Sequence, residues 1–181
     1  VNAIPTQFMR SVWSRIAPFA PADAAIISTA KGLEIGSGAR PSEILLESLE
    51  NPTVCALSGP TIAAELIRKL PALMVAASSS SAVAARARQT FSTRSLRIYE
   101  SDDLVGVELA GAVKNVIALA AGICDGLELG SNAKSALLAR GLAEMTRFGL
   151  AHGARSDTFF GVAGVGDLAT TCFSPEGRNR S

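Results

Sequence analysis

One cation stands inside a run built for burial. In "ELAGAVKNVIALAAG", Glu108 to Gly122, Lys114 is surrounded by Ala, Val, Leu, Ile and Gly. On a helix its face is shared by Ala110, Gly111, Ile117 and Ala118, because residues three and four apart are neighbours. Two readings fit. The lysine can lay its stem on apolar surface and put its ammonium into water. Or it lines a cleft, where desolvation lowers its pKa and it can exchange a proton with a substrate hydroxyl or carbonyl. Asn115 follows, and one helical step of about 100° lets both residues border the same cleft.

Three other stretches could contribute chemistry. "SGPTIAAE", Ser58 to Glu65, joins an expected strand to an expected helix. There Gly59 permits close backbone approach, Pro60 suits a helix start and Thr61 offers a hydroxyl. Amides at such a junction can hold an anion, although an ordinary turn reads the same way. "TAKGLE" puts Lys31 just past a strand end, where open α/β sheets bind ligands; a solvated turn lysine is the alternative. "GVAGVGDLATTCFSPEGRNRS", Gly161 to Ser181, carries Asp167, Arg178, Asn179 and Arg180. Arginine offers a planar fork for phosphate and asparagine adds an amide donor, while Asp167 could pair with a lysine. A glycine-rich loop with a basic end is the plainer account. Its glycines run GxxGxG without a surrounding βαβ unit, so they are not a dinucleotide fingerprint. The only histidine, His152, precedes Gly153 at the end of an amphipathic pattern and reads as a helix-end residue.

The totals narrow the classes. Of 181 residues, 48% are hydrophobic and 5% aromatic, so aliphatic side chains must fill the core. With 17 basic and 16 acidic residues the formal net charge is +1, which gives no footprint for nucleic acid or an anionic membrane. Three separated cysteines and one histidine offer neither zinc-ligand spacing nor a disulfide framework, and fit a reducing compartment. They are expected to be small core hydrophobes. The most apolar window, Val105 to Ile123, holds Glu108, Lys114 and Asn115. Charged groups are rare inside membrane spans, so no span is expected. "VNAIPTQ" opens as if inside a strand and without an initiator Met, as an internal piece of a longer protein would.

These side chains need elements to position them. "AAIISTA", "TVCAL", "ALMVAAS" and "LRIYE" are short apolar runs bounded by Pro, Gly, Ser or Asn and predict strands. Between them, residues 6–16, 42–49, 61–70 and 81–91 predict helices, with Ser42 as a candidate N-cap. "SSSS", Ser78 to Ser81, reads as a strand-to-helix turn. The alternation predicts an α/β sheet covered by helices, with the direction of the last strands open. After about Ser101 the strands stop. Residues 104–123 and 132–151 predict long helices, and 157–169 a third interrupted by glycines.

Together, "SGPTIAAE", "ELAGAVKNVIALAAGICDGLELGSNAKSALLARGLAEMTR" and "FFGVAGVGDLATTCFSPEGRNR" resemble NAD(P)-dependent glycerol-3-phosphate dehydrogenase of the bacterial type, in order and at matching spacing. The resemblance implies an α/β Rossmann-like half followed by an all-α domain similar to the helical domain of 6-phosphogluconate dehydrogenase. Residues 1–102 would be the second part of the dinucleotide-binding domain, and 103–181 the first part of the helical domain. It implies NAD or NADP as cofactor, and sn-glycerol 3-phosphate and dihydroxyacetone phosphate as the small-molecule pair. A cytoplasmic oxidoreductase serving phospholipid synthesis follows, and a homodimer is admitted. A strand and GxGxxG turn are expected upstream of Val1, and further helices beyond Ser181.

The same resemblance implies roles by position. Lys114 matches the proton-transferring lysine. Lys31 matches a lysine that contacts substrate near the nicotinamide. Gly59 and Thr61 match substrate-binding positions, Ala63 a cofactor-contacting alanine, and Asp167 the acidic residue of "GxGDL". Arg178 and Asn179 match the pair that holds the phosphate, the arginine also lying near the cofactor. Asn115 and Thr171 resemble polar pocket positions. Gly177 stands where bacterial members usually have Ser, so a hydroxyl contact would be lost or replaced by backbone N–H. Two other classes compete: a related two-domain dehydrogenase of another hydroxy acid or sugar, and a noncatalytic helical binding module or inert fragment.

Overall fold

The structure, a computed structural model, describes residues 1–21 and 23–174. Gly177, Arg178, Asn179 and Arg180 lie outside the described residues.

The first half is a four-stranded sheet. Strands β1 (Ala25–Ser28), β2 (Thr53–Ser58), β3 (Ala72–Ala77) and β4 (Leu96–Ser101) lie side by side in chain order. β1 and β2 are parallel, β3 is antiparallel to β2, and β4 is parallel to β3. Strand direction, left open by the sequence, thus reverses once within the sheet. Asn2 adds an isolated parallel bridge at Ser28, outside the named strands, with its N–H donating to Ile27 O at 2.7 Å.

Helices α1 (Thr6–Ile16), α2 (Pro41–Ser48), α3 (Ala63–Ile67) and α4 (Ser81–Phe91) alternate with the strands, and a 3₁₀ turn, Ala17–Phe19, follows α1. Side chains alternate across a strand, and β2 shows the result. Cys55 and Leu57 pack with Met74, Ala87 and Ile98 beneath α4. On the other face Val54 joins Met9, Trp13, Ile44 and Leu45 from α1 and α2. Ala56, on that same face, meets Val107 and Ala163 of the second half.

The second half is helical: α5 (Leu104–Gly126), α6 (Gly130–Ala151), α7 (Ser156–Phe160), a π-helical turn (Val162–Gly166) and α8 (Asp167–Phe173). Leu109, Ala118, Met145, Phe159 and Leu168 form its core. α5 is long and apolar enough to cross a membrane by length and composition, but here it is the helix on which α6, α7 and α8 pack. Asp103 caps it. One oxygen accepts Gly106 N–H at 2.8 Å, and the other accepts Arg155 N–H at 3.0 Å and the Thr158 hydroxyl at 2.6 Å.

Several local expectations shift. α2 begins at Pro41, with Arg40 in the N-cap position, because proline at N1 already carries a helical φ; Ser42 is inside the helix. α3 covers only Ala63–Ile67 of the expected 61–70, and Lys69 at φ 58° turns the chain out of it. Ser80 caps α4, accepting from Val83 N–H. The expected 157–169 helix is split by the glycine-rich π turn.

Candidate active site

Lys31 leaves the carboxyl end of β1, and its carbonyl is held by the Thr6 hydroxyl at 3.1 Å. The adjacent β2 ends at Ser58, and the chain turns at Gly59 with φ 150°. A Cβ at Gly59 would sit 2.7 Å from Leu73 O, so this turn requires glycine. Thr61 folds its hydroxyl back to Gly59 O at 3.2 Å. The β1 and β2 ends therefore bring the "AKG" and "SGP" stretches together, and Lys31 Nζ donates to Gly59 O at 3.3 Å.

The helical half meets them from above. The π turn passes against Phe159, where a Cβ at Gly164 would approach Phe159 O to 2.2 Å; its tight path depends on that glycine. It delivers Asp167, 3% exposed, to the start of α8. Asp167 carries two cations: Lys31 Nζ lies 2.6 Å from Oδ2 and Lys114 Nζ 2.6 Å from Oδ1. Lys114 also donates to Thr171 Oγ1 at 2.9 Å, and the Thr171 hydroxyl donates to Asp167 O at 2.7 Å.

Lys114 is 7% exposed, so its ammonium does not snorkel into water; it is held inside, against Asp167 and Thr171. Burial pushes its pKa below the ordinary lysine value; the nearby charge of Lys31 adds to this, and Asp167 opposes it. With both lysines protonated, one carboxylate faces two ammonium groups, which leaves positive charge for an anionic oxygen or phosphate. Asn115 is exposed one step round the helix. Ala63 is exposed at the first turn of α3, two residues beyond Thr61. Gly177, Arg178 and Asn179, the expected phosphate grip, fall outside the described residues.

His152 ends α6, with Nδ1 2.8 Å from Phe148 O. Cys55 and Cys172 are buried in the two cores, and Cys124 is partly buried.

The structure adds residues that sequence reasoning passed over. Ser58 is buried on the face of β2 toward α5, and its hydroxyl has no hydrogen-bond partner among the described residues. Only its place in "SGP" pointed to it. Glu108 is buried too, and receives Ser42 N–H at 2.8 Å, the Ser42 hydroxyl at 2.5 Å and Arg40 Nη1 at 3.0 Å. Burial raises its pKa; Ser42 and Arg40 counter the rise. The signal was a second charge in an apolar run, fewer than two turns before Lys114.

Family models fit both halves. The N-terminus of NAD-dependent glycerol-3-phosphate dehydrogenase matches residues 1–84, and its C-terminus matches residues 103–181. The chain belongs to the NAD-dependent glycerol-3-phosphate dehydrogenase family. Its fold is accordingly a Rossmann-type α/β half followed by a helical half. A glycerol-3-phosphate dehydrogenase (NAD(P)+) of Citrifermentans bemidjiense is 50% identical over 181 residues, covering 98% of this chain and 54% of that protein. One from Clostridium perfringens is 43% identical over 180 residues, covering 99% and 54%. The crystal structure of glycerol-3-phosphate dehydrogenase from Coxiella burnetii superposes with a TM-score of 0.94 at 38% identity, over 98% of this chain and 54% of that one. The yeast enzyme gives a TM-score of 0.84 at 31% identity, over 98% and 53%. The chain thus spans about half the length of the curated relatives it matches.

Proposed function

We propose that the complete protein interconverts dihydroxyacetone phosphate and sn-glycerol 3-phosphate with NAD(P)(H), and that Lys114 moves the proton. The observation that carries this reading is the buried Lys114 held with Lys31 on one carboxylate, Asp167.

The residues fit a nicotinamide cofactor. Ala63 is small and exposed beside the Gly59–Thr61 turn, and the Lys31 ammonium at Gly59 O is a cation beside that turn. Lys31, Ala63 and Arg178 are the residues proposed to hold the cofactor. When bound, the nicotinamide supplies hydride to the carbonyl carbon in reduction and accepts it in oxidation. The chain does the rest. In reduction, the Lys114 ammonium polarises the carbonyl oxygen and then gives it a proton. In oxidation, neutral Lys114 takes the hydroxyl proton. Lys31 adds positive charge near the developing alkoxide. Asp167 and Thr171 hold Lys114 Nζ in place, and Gly59, Thr61 and Asn115 border the substrate. Arg178 and Asn179 grip the phosphate, with Gly177 offering backbone N–H, and that remote binding orients the reacting carbon.

In the complete protein, Lys114→Ala should lower turnover by about 10²- to 10⁴-fold. Near-normal turnover would remove Lys114 from proton transfer. Arg178→Ala should raise KM for the phosphorylated substrate, and an unchanged KM would argue against phosphate binding there. The division at residues 102 and 103 is proposed from the end of β4 and the Asp103 cap. A cytoplasmic homodimer serving phospholipid synthesis completes the proposal; free cysteines support the compartment, and sedimentation of the complete protein tests the dimer.

A further inference from the structure

The two lysines ride on different halves of the molecule, so their separation depends on how the halves are joined. Lys31 belongs to the segment that runs from β1 to α2, and Lys114 belongs to α5. The stem of Lys31 lies on α5 itself: a Cβ at Gly111 would stand 3.5 Å from both Lys31 Cγ and Cδ. The segment after Lys31 is braced from outside. Glu34 is gripped by Arg10, with Arg10 Nη2 at 2.8 Å, and its N–H donates to Ala39 O at 2.9 Å. Gln7 donates to Leu33 O at 2.7 Å and accepts from Ile35 N–H at 2.8 Å. This strut ends at Arg40 and Ser42, where α2 begins.

Both ends of the strut are fastened to the helical half by a buried carboxylate. At one end Asp167 takes Lys31. At the other Glu108 takes Arg40 and both donors of Ser42. The Glu108 side chain is 1% exposed. The charged groups facing it are Arg40 and, beyond it, Glu43, which binds Arg40 Nη2 at 2.7 Å. Glu108 sits about 9 Å along the α5 axis from Lys114, and Gly111, the seat of the Lys31 stem, lies between them. A rigid helix passes any shift at Glu108 directly to both places.

We propose that Glu108 is a positioning residue for proton transfer, setting the Lys31-to-Lys114 separation by fastening α5 to the start of α2. This rests on the functional reading above. Such a fastening acts on the geometry of the reacting groups and leaves the proposed phosphate grip alone. It also acts on Lys114 electrostatically, because Lys31 is one of the groups that lower its pKa.

The test uses the complete protein. Glu108→Gln keeps the shape and one acceptor oxygen but replaces the other with an NH2 group that cannot accept from Arg40 or Ser42, and removes the charge that pairs with Arg40. The expected result is a fall in kcat of about tenfold or more, with KM for dihydroxyacetone phosphate within about twofold. The pH limb of glycerol 3-phosphate oxidation should move to higher pH, as Lys31 presses less on Lys114. Ser42→Ala, which removes one hydroxyl and keeps the fold, should move kcat and the limb in the same directions by less. Folded Glu108→Gln with unchanged kcat and limb would overturn the proposal, as would a kcat loss that only tracks the unfolded fraction. If Glu108→Gln does not fold, an unchanged limb and kcat in Ser42→Ala overturns it. Wild-type protein without glycerol-3-phosphate turnover would instead overturn the parent reading, and this proposal with it.

Discussion

Asp167 holds two ammonium groups with one carboxylate, and its neighbours pull Lys114 in opposite directions. Burial and Lys31 lower the Lys114 pKa, while Asp167 raises it. If Lys114 moves the proton as proposed, oxidation needs the neutral amine and its rate should rise with pH through that lowered pKa, while reduction needs the ammonium and should fall over the same interval. The two partners can then be told apart. Lys31→Ala should move the oxidation limb to higher pH, and Asp167→Asn should move it to lower pH and cut kcat by about 10²-fold. Rate–pH profiles of the two variants check this, and shifts in the same direction would sink the assigned electrostatics. At this scale the sequence revealed the anomaly and offered Asp167 as a partner for a lysine, but not that one carboxylate takes two. Lys114 was visible because its surroundings were apolar. That it shares Asp167 with Lys31 was not, since Lys31 and Asp167 lie 136 residues apart. Glu108 was less visible still, because its partner Arg40 sits 68 residues away and nothing local in "ELAG" calls for an arginine.

Between elements, close helix packing depends on particular glycines. A Cβ at Gly149 on α6 would stand 2.1 Å from the Phe159 ring. Gly149→Ala should therefore destabilise the protein by about 1–3 kcal/mol through overpacking. Gly126, at the end of α5, has nothing within 4 Å of the same position; Gly126→Ala should be neutral or stabilise by about 0.5 kcal/mol. Urea titrations of both variants would show it, and equal midpoints would contradict the packing. The elements themselves were largely legible. All four strands and the starts or ends of most helices follow from apolar runs and their boundaries. What failed was physically local: Pro41 displaced Ser42 as the start of α2, and a run of glycines bent one expected helix into three pieces. Strand direction was hidden because a buried strand reads the same both ways.

The change from α/β to all-α composition near Ser101 marks the change of architecture in the chain. One face of α5 remains exposed: Val116 at 68%, Leu119 at 55%, Ile123 at 63% and, just beyond the helix, Leu127 at 64%. A contiguous apolar stripe of this kind attracts other apolar surface. Chain 1–181 on its own should bind a hydrophobic dye, and Leu119→Ser with Ile123→Ser should reduce the signal. Fluorescence unchanged by the pair would mean that other surface is responsible.

The reversed strand β3 has a mechanical meaning. Because β3 and β4 run against β1 and β2, the chain leaves β4 at the edge of the sheet far from Lys31 and Gly59. α5 must then travel back along β2. Val107 lies over Ala56, and Gly111 lies over Ser58. Four helix residues, rising about 6 Å, keep step with two strand residues of about 6.6 Å. By Lys114 the helix has covered about 15 Å and has just drawn level with the ends of β1 and β2. The turned strand works as a run-up that meters where the ammonium stops. With a uniformly parallel sheet, the same helix would start where it now arrives, and carry its lysine past Asp167 and the ends of β1 and β2.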